Sequence, residues 1–240
     1  MIRMGVVGTG SLGFHHARIL RDVEGVEMAG IFEARDARAH EVSRDLGIRA
    51  WDSLEGLLDE CHAAVVAVPT SAHEEVARAA LSRGVHVLIE KPMAATLDEA
   101  DRILETAEAS GCLVQIGHVE RFNQAIRAAD PYLDEPLFIE SHRMAPFSPR
   151  STDVAVVLDL MIHDVDLIQS LVGEPIVDIA ASGMPVLTPT IDIANARITF
   201  EGGAVANLTA SRISMEKMRK LRIFQRSKYY LSIFGFFFCG

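Results

Sequence analysis

Three groups of residues in this chain are of the kinds that bind nucleotides or move protons. The first is a GxGxxG motif at residues 8–13, the second is Glu-Lys-Pro at residues 90–92, and the third is Asp159 with His163 four residues later. A glycine loop of this kind binds the pyrophosphate of a dinucleotide, while lysine and an acid–histidine pair can exchange a proton with a substrate hydroxyl. Together these groups are typical of an enzyme.

The surroundings of the glycine motif strengthen the dinucleotide interpretation. A short apolar run of strand type, residues 2–7, precedes it, and residues 14–20 follow with helical spacing. Gly8 can take the turn conformation, Gly10 lets backbone N–H groups approach phosphates, and Gly13 lets the helix pack closely, with its N-terminus facing the negative charge. The predicted cofactor-binding residues of the loop are Gly8, Thr9, Gly10, Ser11, Leu12 and Gly13. The alternative is a glycine-rich turn of the kind found in any α/β protein.

A second apolar run, residues 26–32, ends at Glu33, twenty residues after Gly13. A carboxylate at this position accepts hydrogen bonds from the adenosine ribose and repels a 2′-phosphate, so NAD is favoured over NADP. Arg35 weakens this preference, because a nearby arginine could turn towards a phosphate.

Composition limits the other functions open to the chain. Its 240 residues are 49% hydrophobic, enough for one large or two smaller cores, and a net charge of −10 argues against nucleic acid as a general partner. A basic strip between residues 212 and 228, offset only by Glu216, fits either contact with an anionic substrate or the solvated face of an exposed strand. Three widely spaced cysteines indicate neither a disulfide framework nor a zinc site. With no signal peptide and no apolar run of membrane-spanning length, we expect a cytoplasmic location without a membrane partner.

Strand and helix patterns alternate through residue 118. The predicted strands are 2–7, 26–32, 63–68, 85–89 and 112–116. The predicted helices are 14–20, 36–46, 71–83 and 97–109, the last of which closes at Gly111. This pattern predicts a parallel, doubly wound Rossmann sheet, in which ligands lie beyond the carboxyl ends of the strands. Pro69-Thr70, residues 90–92 and residues 117–118 fall at such ends and are expected to converge on one cleft.

The alternation of strand and helix patterns ends after residue 118. The segments 119–129 and 154–172 have helical patterns, and 137–143, 176–181, 191–200, 204–211 and 221–224 have strand patterns, with a hairpin turn at 201–203. Consecutive strands imply a mainly antiparallel sheet. The predicted organisation is α/β: an NAD-binding Rossmann domain at residues 1–118, followed by an α+β domain for substrate binding and oligomerisation at residues 119–240.

These motifs carry a family resemblance. The glycine loop, residues 67–70 with His73, Glu-Lys-Pro, Gly117-His118 and residues 159–163 resemble the Gfo/Idh/MocA oxidoreductases, over about residues 2–225. The segments 118–123, 159–166, 192–197 and 208–212 resemble the bacterial UDP-N-acetylglucosamine 3-dehydrogenase branch. The resemblance implies NAD-dependent oxidation of the C3 hydroxyl of UDP-N-acetylglucosamine to a 3-keto sugar, used in lipid A synthesis. A dehydrogenase of a free sugar or inositol, and a truncated inactive member that only binds NAD, are the alternatives.

The resemblance also implies roles for the proton-transfer residues. Lys91 shares the proton of the alcohol, since partial desolvation and the positive nicotinamide favour its neutral amine; a surface lysine paired with Glu90 is the alternative. His163 is the main proton acceptor or its relay, and Asp159 binds a substrate hydroxyl or orients the ring. The two lie on one helix face, so a metal site is a further possibility, although no third ligand is obvious, and a buried structural histidine is another. The whole interpretation depends on Lys91 and His163 meeting over the same carbon.

Several residues have supporting roles in this interpretation. His73 is expected near the nicotinamide, or else as a capping or surface histidine, and His15 and His16 as helix-surface and packing residues. The remaining cofactor-binding candidates are Pro69, Thr70, Glu90 and Lys91, and the substrate-binding candidates are His118, Arg121, Asn123 and Arg212. The two arginines could bind substrate phosphates or form structural salt bridges.

The end of the chain departs from the family pattern. Relatives continue with further strands, whereas here five of eleven Phe residues lie between 224 and 238. This composition indicates a truncation or an altered reading frame. Missing strands would leave an open sheet edge, which puts in doubt the homo-oligomer expected to form through that sheet.

Overall fold

The computed structural model describes residues 1–148, 154–226, 228–233 and 236–239. They form two compact units, residues 1–117 and residues 118–240, each built around its own sheet. No helix within these described ranges is both long and apolar enough to cross a membrane.

The first unit is a parallel, doubly wound sheet, as predicted. Its strands are β1 (Ile2–Val7), β2 (Val26–Phe32), β3 (Ala63–Val66), β4 (His86–Ile89) and β5 (Val114–Ile116). Its helices are α1 (Ser11–Leu20), α2 (Asp36–Leu46), α3 (Leu54–Leu58), α4 (His73–Leu81) and α5 (Leu97–Ser110). The strands lie in the order β2-β1-β3-β4-β5, and every pair is parallel.

Alternation along the strands explains why helices cover both faces of this sheet. Successive strand residues point to opposite faces. Val65 packs in a cluster with Ala17 of α1 and Val42 of α2, whereas Val66 packs in a separate cluster with Ala77 of α4. The sheet is therefore buried on both faces, which is the usual state of parallel strands.

The helix boundaries in this unit follow local chemistry. Thr96 and Glu99 form a reciprocal capping box at the start of α5, and Gly111 ends the helix in the left-handed conformation, as the sequence predicted. The segment predicted as a helix from residue 71 begins instead with a tight 3-10 turn, Thr70–Ala72, before α4.

The second unit is a seven-stranded sheet with helices on one side. Its strands are β6 (Phe138–Met144), β7 (Ile176–Met184), β8 (Ile193–Phe200), β9 (Val205–Ser211), β10 (Met218–Gln225), β11 (Lys228–Ile233) and β12 (Phe236–Cys239), and its helices are α6 (Gln124–Ala129) and α7 (Ile162–Val172). The order is β12-β11-β10-β6-β9-β8-β7, with every pair antiparallel except β6 with β9. This confirms the mainly antiparallel sheet, including the hairpin turn between β8 and β9.

One face of this second sheet forms the core of the unit. Ile139, Ile198 and Leu208 are buried against Leu167 and Ile168 of α7. The alternate residues of the same strands point the other way and carry polar pairs, among them Glu140 with Arg222 and Asn195 with Thr209.

The structure corrects two predicted helices and adds two strands. Residues 119–129 are not one helix but a 3-10 turn, Val119–Phe122, followed by α6. Residues 154–172 are not one α-helix either, because a π-helical turn, Val157–Met161, precedes α7. The Phe-rich stretch supplies β11 and β12, which extend the sheet beyond β10.

Candidate active site

The glycine loop joins β1 to α1 and has the geometry a pyrophosphate needs. Gly8 is in the left-handed region with φ of 84°. A Cβ on Gly13 would overlap the carbonyl oxygen of Gly8, so α1 packs against the loop only because residue 13 lacks a side chain. A Cβ on Gly10 would meet nothing within 4 Å. The space above Gly10 is thus open to a ligand at the start of α1.

Thr9 is the buried centre of this loop. Its backbone N–H donates to Oε2 of Glu33 at 2.9 Å, and its hydroxyl donates to the same oxygen at 3.2 Å. Its carbonyl accepts from Nε of Arg38 at 2.9 Å. The segment after β2 therefore fixes both sides of the Thr9 backbone.

Glu33 is held as an anion. Burial alone would raise the pKa of Glu33, but hydrogen bonds from the Arg35 guanidinium and from the Thr9 N–H outweigh it and lower the pKa from 4.5 to about 2. Nε of Arg35 lies 2.8 Å from Oε1 of Glu33. Arg35 therefore pairs with the acid in this structure.

Glu90 ends β4 with a contact that the sequence did not predict. Its Oε1 lies 2.6 Å from Nε2 of His16 on α1, and its Oε2 accepts the backbone N–H of Lys91 at 3.3 Å. The peptide between Lys91 and Pro92 is cis. His16, expected to be a surface or packing residue, is thus a polar partner of the Glu-Lys-Pro segment.

His73 is neither a capping nor a surface residue. It is 1% exposed, with Nδ1 2.8 Å from the carbonyl oxygen of Pro92 and Nε2 3.0 Å from that of Val68. The capping and surface interpretations are therefore wrong. The ring instead ties the segment after β3 to the segment after β4.

In the second unit, Asp159 lies in the π-helical turn and His163 in the first turn of α7. The Ile162 N–H donates to the carbonyl of Val157, five residues earlier, which places one extra residue in this turn. Both Asp159 and His163 are half-buried. Such turns are frequent at functional sites.

Asp164, next to His163, anchors α7 to the sheet. Its carboxylate accepts both Nε and Nη2 of Arg143 on β6, at 2.9 and 2.8 Å, and both side chains are buried. Glu120 accepts from Arg143 at 3.2 Å and from Arg219 of β10 at 3.1 Å. Buried bidentate pairs of this kind fix an element in one register, because a lone buried charge is costly.

Asp166 binds two of the substrate candidates. The Arg121 guanidinium donates to both of its oxygens, at 2.8 and 2.6 Å, and Nδ1 of His118 lies 3.7 Å away. The third candidate, Asn123, caps α6 by accepting the Ala125 N–H at 3.0 Å. Arg121 keeps about half of its side chain exposed, at 49%. It is engaged by protein but still accessible to a ligand.

Two roles were left open for Arg212, binding of a substrate phosphate and a structural salt bridge. The structure gives it the structural role. It is 4% exposed and donates to Asp192, to the hydroxyls of Thr188 and Thr190, and to the carbonyl of Val154. This network ties the start of the segment before α7 to the ends of β8 and β9. A guanidinium so enclosed does not present its fork to a substrate phosphate.

The basic strip between residues 212 and 228 does not form one basic surface, because its residues have different partners in the fold. β10 is an inner strand of its sheet, and Arg222 lies on the face away from the core with 32% of its side chain exposed, so the interpretation as a solvated strand face fits this residue. Arg219 pairs with Glu120 and Arg222 pairs with Glu140, carboxylates remote in sequence. A local count of charges could not include them.

A cavity of about 690 Å³ lies in the second unit between α6, α7, β6 and β10. Its polar lining includes Glu120, Asn123, Arg143, Asp164 and Arg219. Among the described residues, no three His, Cys, Asp or Glu side chains form a group that could hold a metal ion.

Comparison with known proteins decides the family. Residues 2–118 match the Gfo/Idh/MocA oxidoreductase family, NAD-binding Rossmann fold, and residues 129–227 match the Gfo/Idh/MocA C-terminal domain. The chain belongs to this family. It is therefore an oxidoreductase with a fold for an NAD-type cofactor, and the relatives that it resembles are named dehydrogenases.

Individual relatives of this Gfo/Idh/MocA protein are similar over most of its length. UDP-N-acetylglucosamine 3-dehydrogenase from Acidithiobacillus ferrooxidans is 41% identical over 95% of this chain and 72% of its own. The solved structure of that enzyme superposes with a TM-score of 0.91 over 97% of this chain and 77% of its own, at 40% identity. scyllo-Inositol 2-dehydrogenase from Bacillus subtilis is 28% identical over 89% of this chain and 68% of its own.

Sequence reasoning missed several residues that hold this Gfo/Idh/MocA site together. His16 and Arg38 act through partners distant in sequence, so periodicity and motif spacing carry no trace of them. The partner of Arg143 is distant as well. Arg143 lies at an inward position of β6, where the alternation of Ile139, Ser141 and Arg143 marks the buried face. A basic residue at a buried strand position was the one signal that a carboxylate partner exists.

Proposed function

We propose that this chain oxidises the C3 hydroxyl of UDP-N-acetylglucosamine to the 3-keto sugar, with NAD as the oxidant. The observation that carries the proposal is the 41% identity, over 95% of the chain, to a relative named UDP-N-acetylglucosamine 3-dehydrogenase. Inositol dehydrogenases match at lower identity, 28% for the Bacillus subtilis enzyme.

The glycine loop is the proposed binding site for the pyrophosphate. The open space above Gly10 and the left-handed Gly8 support it, since backbone N–H groups at the start of α1 are then free to face phosphate oxygens. The carboxylate of Glu33, just after β2, supports NAD over NADP, because it can accept ribose hydroxyls and repels a 2′-phosphate. Pro69, Thr70 and Glu90 complete the proposed cofactor site.

The proton-transfer roles follow from the family resemblance and the chemistry of the side chains. Bound NAD supplies the hydride acceptor. Lys91 shares the proton of the reacting hydroxyl, His163 accepts or relays it, and Asp159 binds a neighbouring hydroxyl or orients the imidazole. The buried pair of Asp164 with Arg143 supports this assignment, since it fixes the first turn of α7, from which His163 projects.

His118, Arg121 and Asn123 are the proposed substrate-binding residues. The exposure of Arg121 supports contact with an anionic group of the substrate. The nearby 690 Å³ cavity, lined in part by Asn123, has the volume of a small-molecule site.

We also propose a homo-oligomer formed through the second sheet. The polar pairs on the face of this sheet away from the core, such as Glu140 with Arg222, are partly exposed and so available to a second copy of the chain. The lipid A role and the cytoplasmic location stay predictions of the sequence.

The test is NADH formation across a panel of alcohols: UDP-N-acetylglucosamine, UDP-glucose, free N-acetylglucosamine, myo-inositol and scyllo-inositol. Turnover confined to UDP-sugars supports the proposal, and turnover confined to inositols supports the alternative that the inositol dehydrogenase relatives suggest. Calorimetric NAD binding without any turnover would instead indicate an inactive NAD-binding member.

A further inference from the structure

Each sequence neighbour of Lys91 is held by a histidine from a different helix. Glu90 contacts His16 of α1, and Pro92 contacts His73 of α4. Lys91 itself is half-buried between these two anchored residues. The candidate proton-transfer residue thus lies on a short segment held at both ends.

The contact between His16 and Glu90 is charge-assisted. Burial alone would raise the pKa of Glu90, but the hydrogen bond and charge of His16 outweigh it and lower the pKa below its usual value. Glu90 is 8% exposed, and its second oxygen accepts the Lys91 N–H at 3.3 Å. The imidazole of His16 therefore orients a carboxylate that in turn binds the backbone of Lys91.

His73 makes the second contact from the interior. Its Nδ1 lies 2.8 Å from the carbonyl oxygen of Pro92 and its Nε2 lies 3.0 Å from that of Val68. A neutral ring donates to one of these carbonyls, and a protonated ring donates to both. The ring is 1% exposed, so its two nitrogens are shielded from bulk water.

We propose that His16 and His73 are positioning residues for Lys91, a histidine clamp that sets the place of its amine through Glu90 and Pro92. The inference rests on the proposed role of Lys91 in proton transfer. Because α1 begins at the glycine loop, the contact of His16 with Glu90 also links the helix of the proposed pyrophosphate site to the Lys91 segment. Neither histidine touches the reacting atoms in this proposal.

The clamp is tested with alanine and amide variants of both histidines. In H16Q the amide nitrogen replaces Nε2, which faces Glu90. In H73N the amide nitrogen replaces Nδ1, which faces Pro92, whereas in H73Q it replaces Nε2, which faces Val68. H15A is the matched control, since His15 is an exposed neighbour on the same helix.

Two measurements test the histidine clamp. The first is steady-state kinetics with calorimetric NAD binding: H16A and H73A are expected to lower kcat about 10- to 100-fold, because small misplacements of a reacting group cost this much. NAD affinity is expected to stay within about threefold of the wild type, so the loss is in kcat. H16Q and H73N are expected to recover much of it, H73Q to recover less than H73N, and H15A to match the wild type.

The second measurement needs no substrate. Acetic anhydride labels amines, and peptide mass spectrometry gives the labelling rate of Lys91 relative to the exposed Lys217. In the clamp, H16A changes this relative rate and H15A leaves it unchanged. If H73A does not fold, H73N, H73Q and the H16 variants still decide the question.

The clamp is overturned if folded H16A keeps wild-type kcat and wild-type labelling of Lys91, or if H73Q recovers activity as well as H73N. Failure of the proposed function gives a different result. In that case the wild type oxidises no UDP-sugar, while the labelling comparison between H16A and H15A still reports on the clamp.

Discussion

The carboxylate of Glu33 accepts the backbone N–H of Thr9 at 2.9 Å, so the acid at the end of β2 is also a structural partner of the glycine loop. The proposed recognition of adenosine and the geometry of the loop therefore depend on one side chain. A substitution of Glu33 that removes the charge and keeps an acceptor oxygen distinguishes the effect of the charge from that of the hydrogen bonds.

Glu33→Gln is expected to weaken the preference for NAD. The amide oxygen can still accept from Thr9, but the charge that repels a 2′-phosphate is gone, and Arg35 loses its ion-pair partner. The ratio of kcat/KM for NAD to that for NADP is expected to fall by about tenfold or more. Glu27→Gln, at an exposed position of the same strand, is the control. An unchanged ratio in E33Q would contradict the role of the carboxylate.

Stability at acid pH is expected to depend on Glu33. Its native pKa, about 2, lies below the ordinary value of 4.5, so the stabilisation from ionisation is complete above pH 4.5 and is lost as the pH falls towards 2. Urea unfolding of the wild type and E33Q should differ at pH 7 and converge as the pH approaches 2. A difference that stays constant across this range would rule out the contribution of the charge.

Gly10 and Gly13 of the loop are expected to respond differently to substitution by alanine. Gly13→Ala forces a Cβ into the carbonyl of Gly8 and is expected to destabilise the fold by about 1–3 kcal/mol or more. Gly10→Ala meets only open space, so it should keep its melting temperature and lose NAD affinity. Thermal unfolding and calorimetry on both variants check this. Normal NAD binding by G10A would exclude a close approach of phosphate there.

Arg143→Met is expected to destabilise the second unit by about 3–5 kcal/mol, because Asp164 is left as an uncompensated buried charge and Glu120 keeps only its pair with Arg219. Arg219→Met is the control: Arg219 also binds Glu120, but its side chain is 37% exposed, so a smaller loss is expected. Urea denaturation at neutral pH measures both. Equal losses would show that burial of the pair with Asp164 is not what matters.

Lys91→Met is expected to lower kcat about 10²- to 10⁴-fold, the usual contribution of a positioned acid or base, with NAD affinity retained. Lys217→Met, at an exposed site, should behave as the wild type. Steady-state kinetics with calorimetry separates the two parameters. A K91M variant that retains wild-type kcat would remove Lys91 from the reaction.

Periodicity predicted those parts of the fold that depend on local sequence. The helix at residues 36–46 has the predicted bounds, and Gly111 ends α5 as predicted, because glycine and apolar spacing act within a few residues. The π-helical turn before α7 was not predictable in this way. The start of that segment is tied to the sheet by contacts of Val154 and Val156 with residues far along the chain.

The residues of the candidate site also fall into two groups, those that local sequence predicts and those that depend on distant partners. Motif residues such as Gly13 and Lys91 could be found because their type and spacing are fixed by what they bind. His16, His73 and Arg143 could not be assigned, since their partners lie on other elements and only the folded chain brings them together. β11 and β12 were missed for a related reason: their pairing depends on β10 and on each other in space.

β6 is the first strand of its sheet along the chain, yet it lies between β9 and β10. During synthesis β6 leaves the ribosome before either neighbour. Its backbone groups cannot form sheet hydrogen bonds, and its apolar face cannot be buried in the sheet, until both later strands have been translated. Such non-local pairing slows assembly and leaves the nascent segment prone to aggregation.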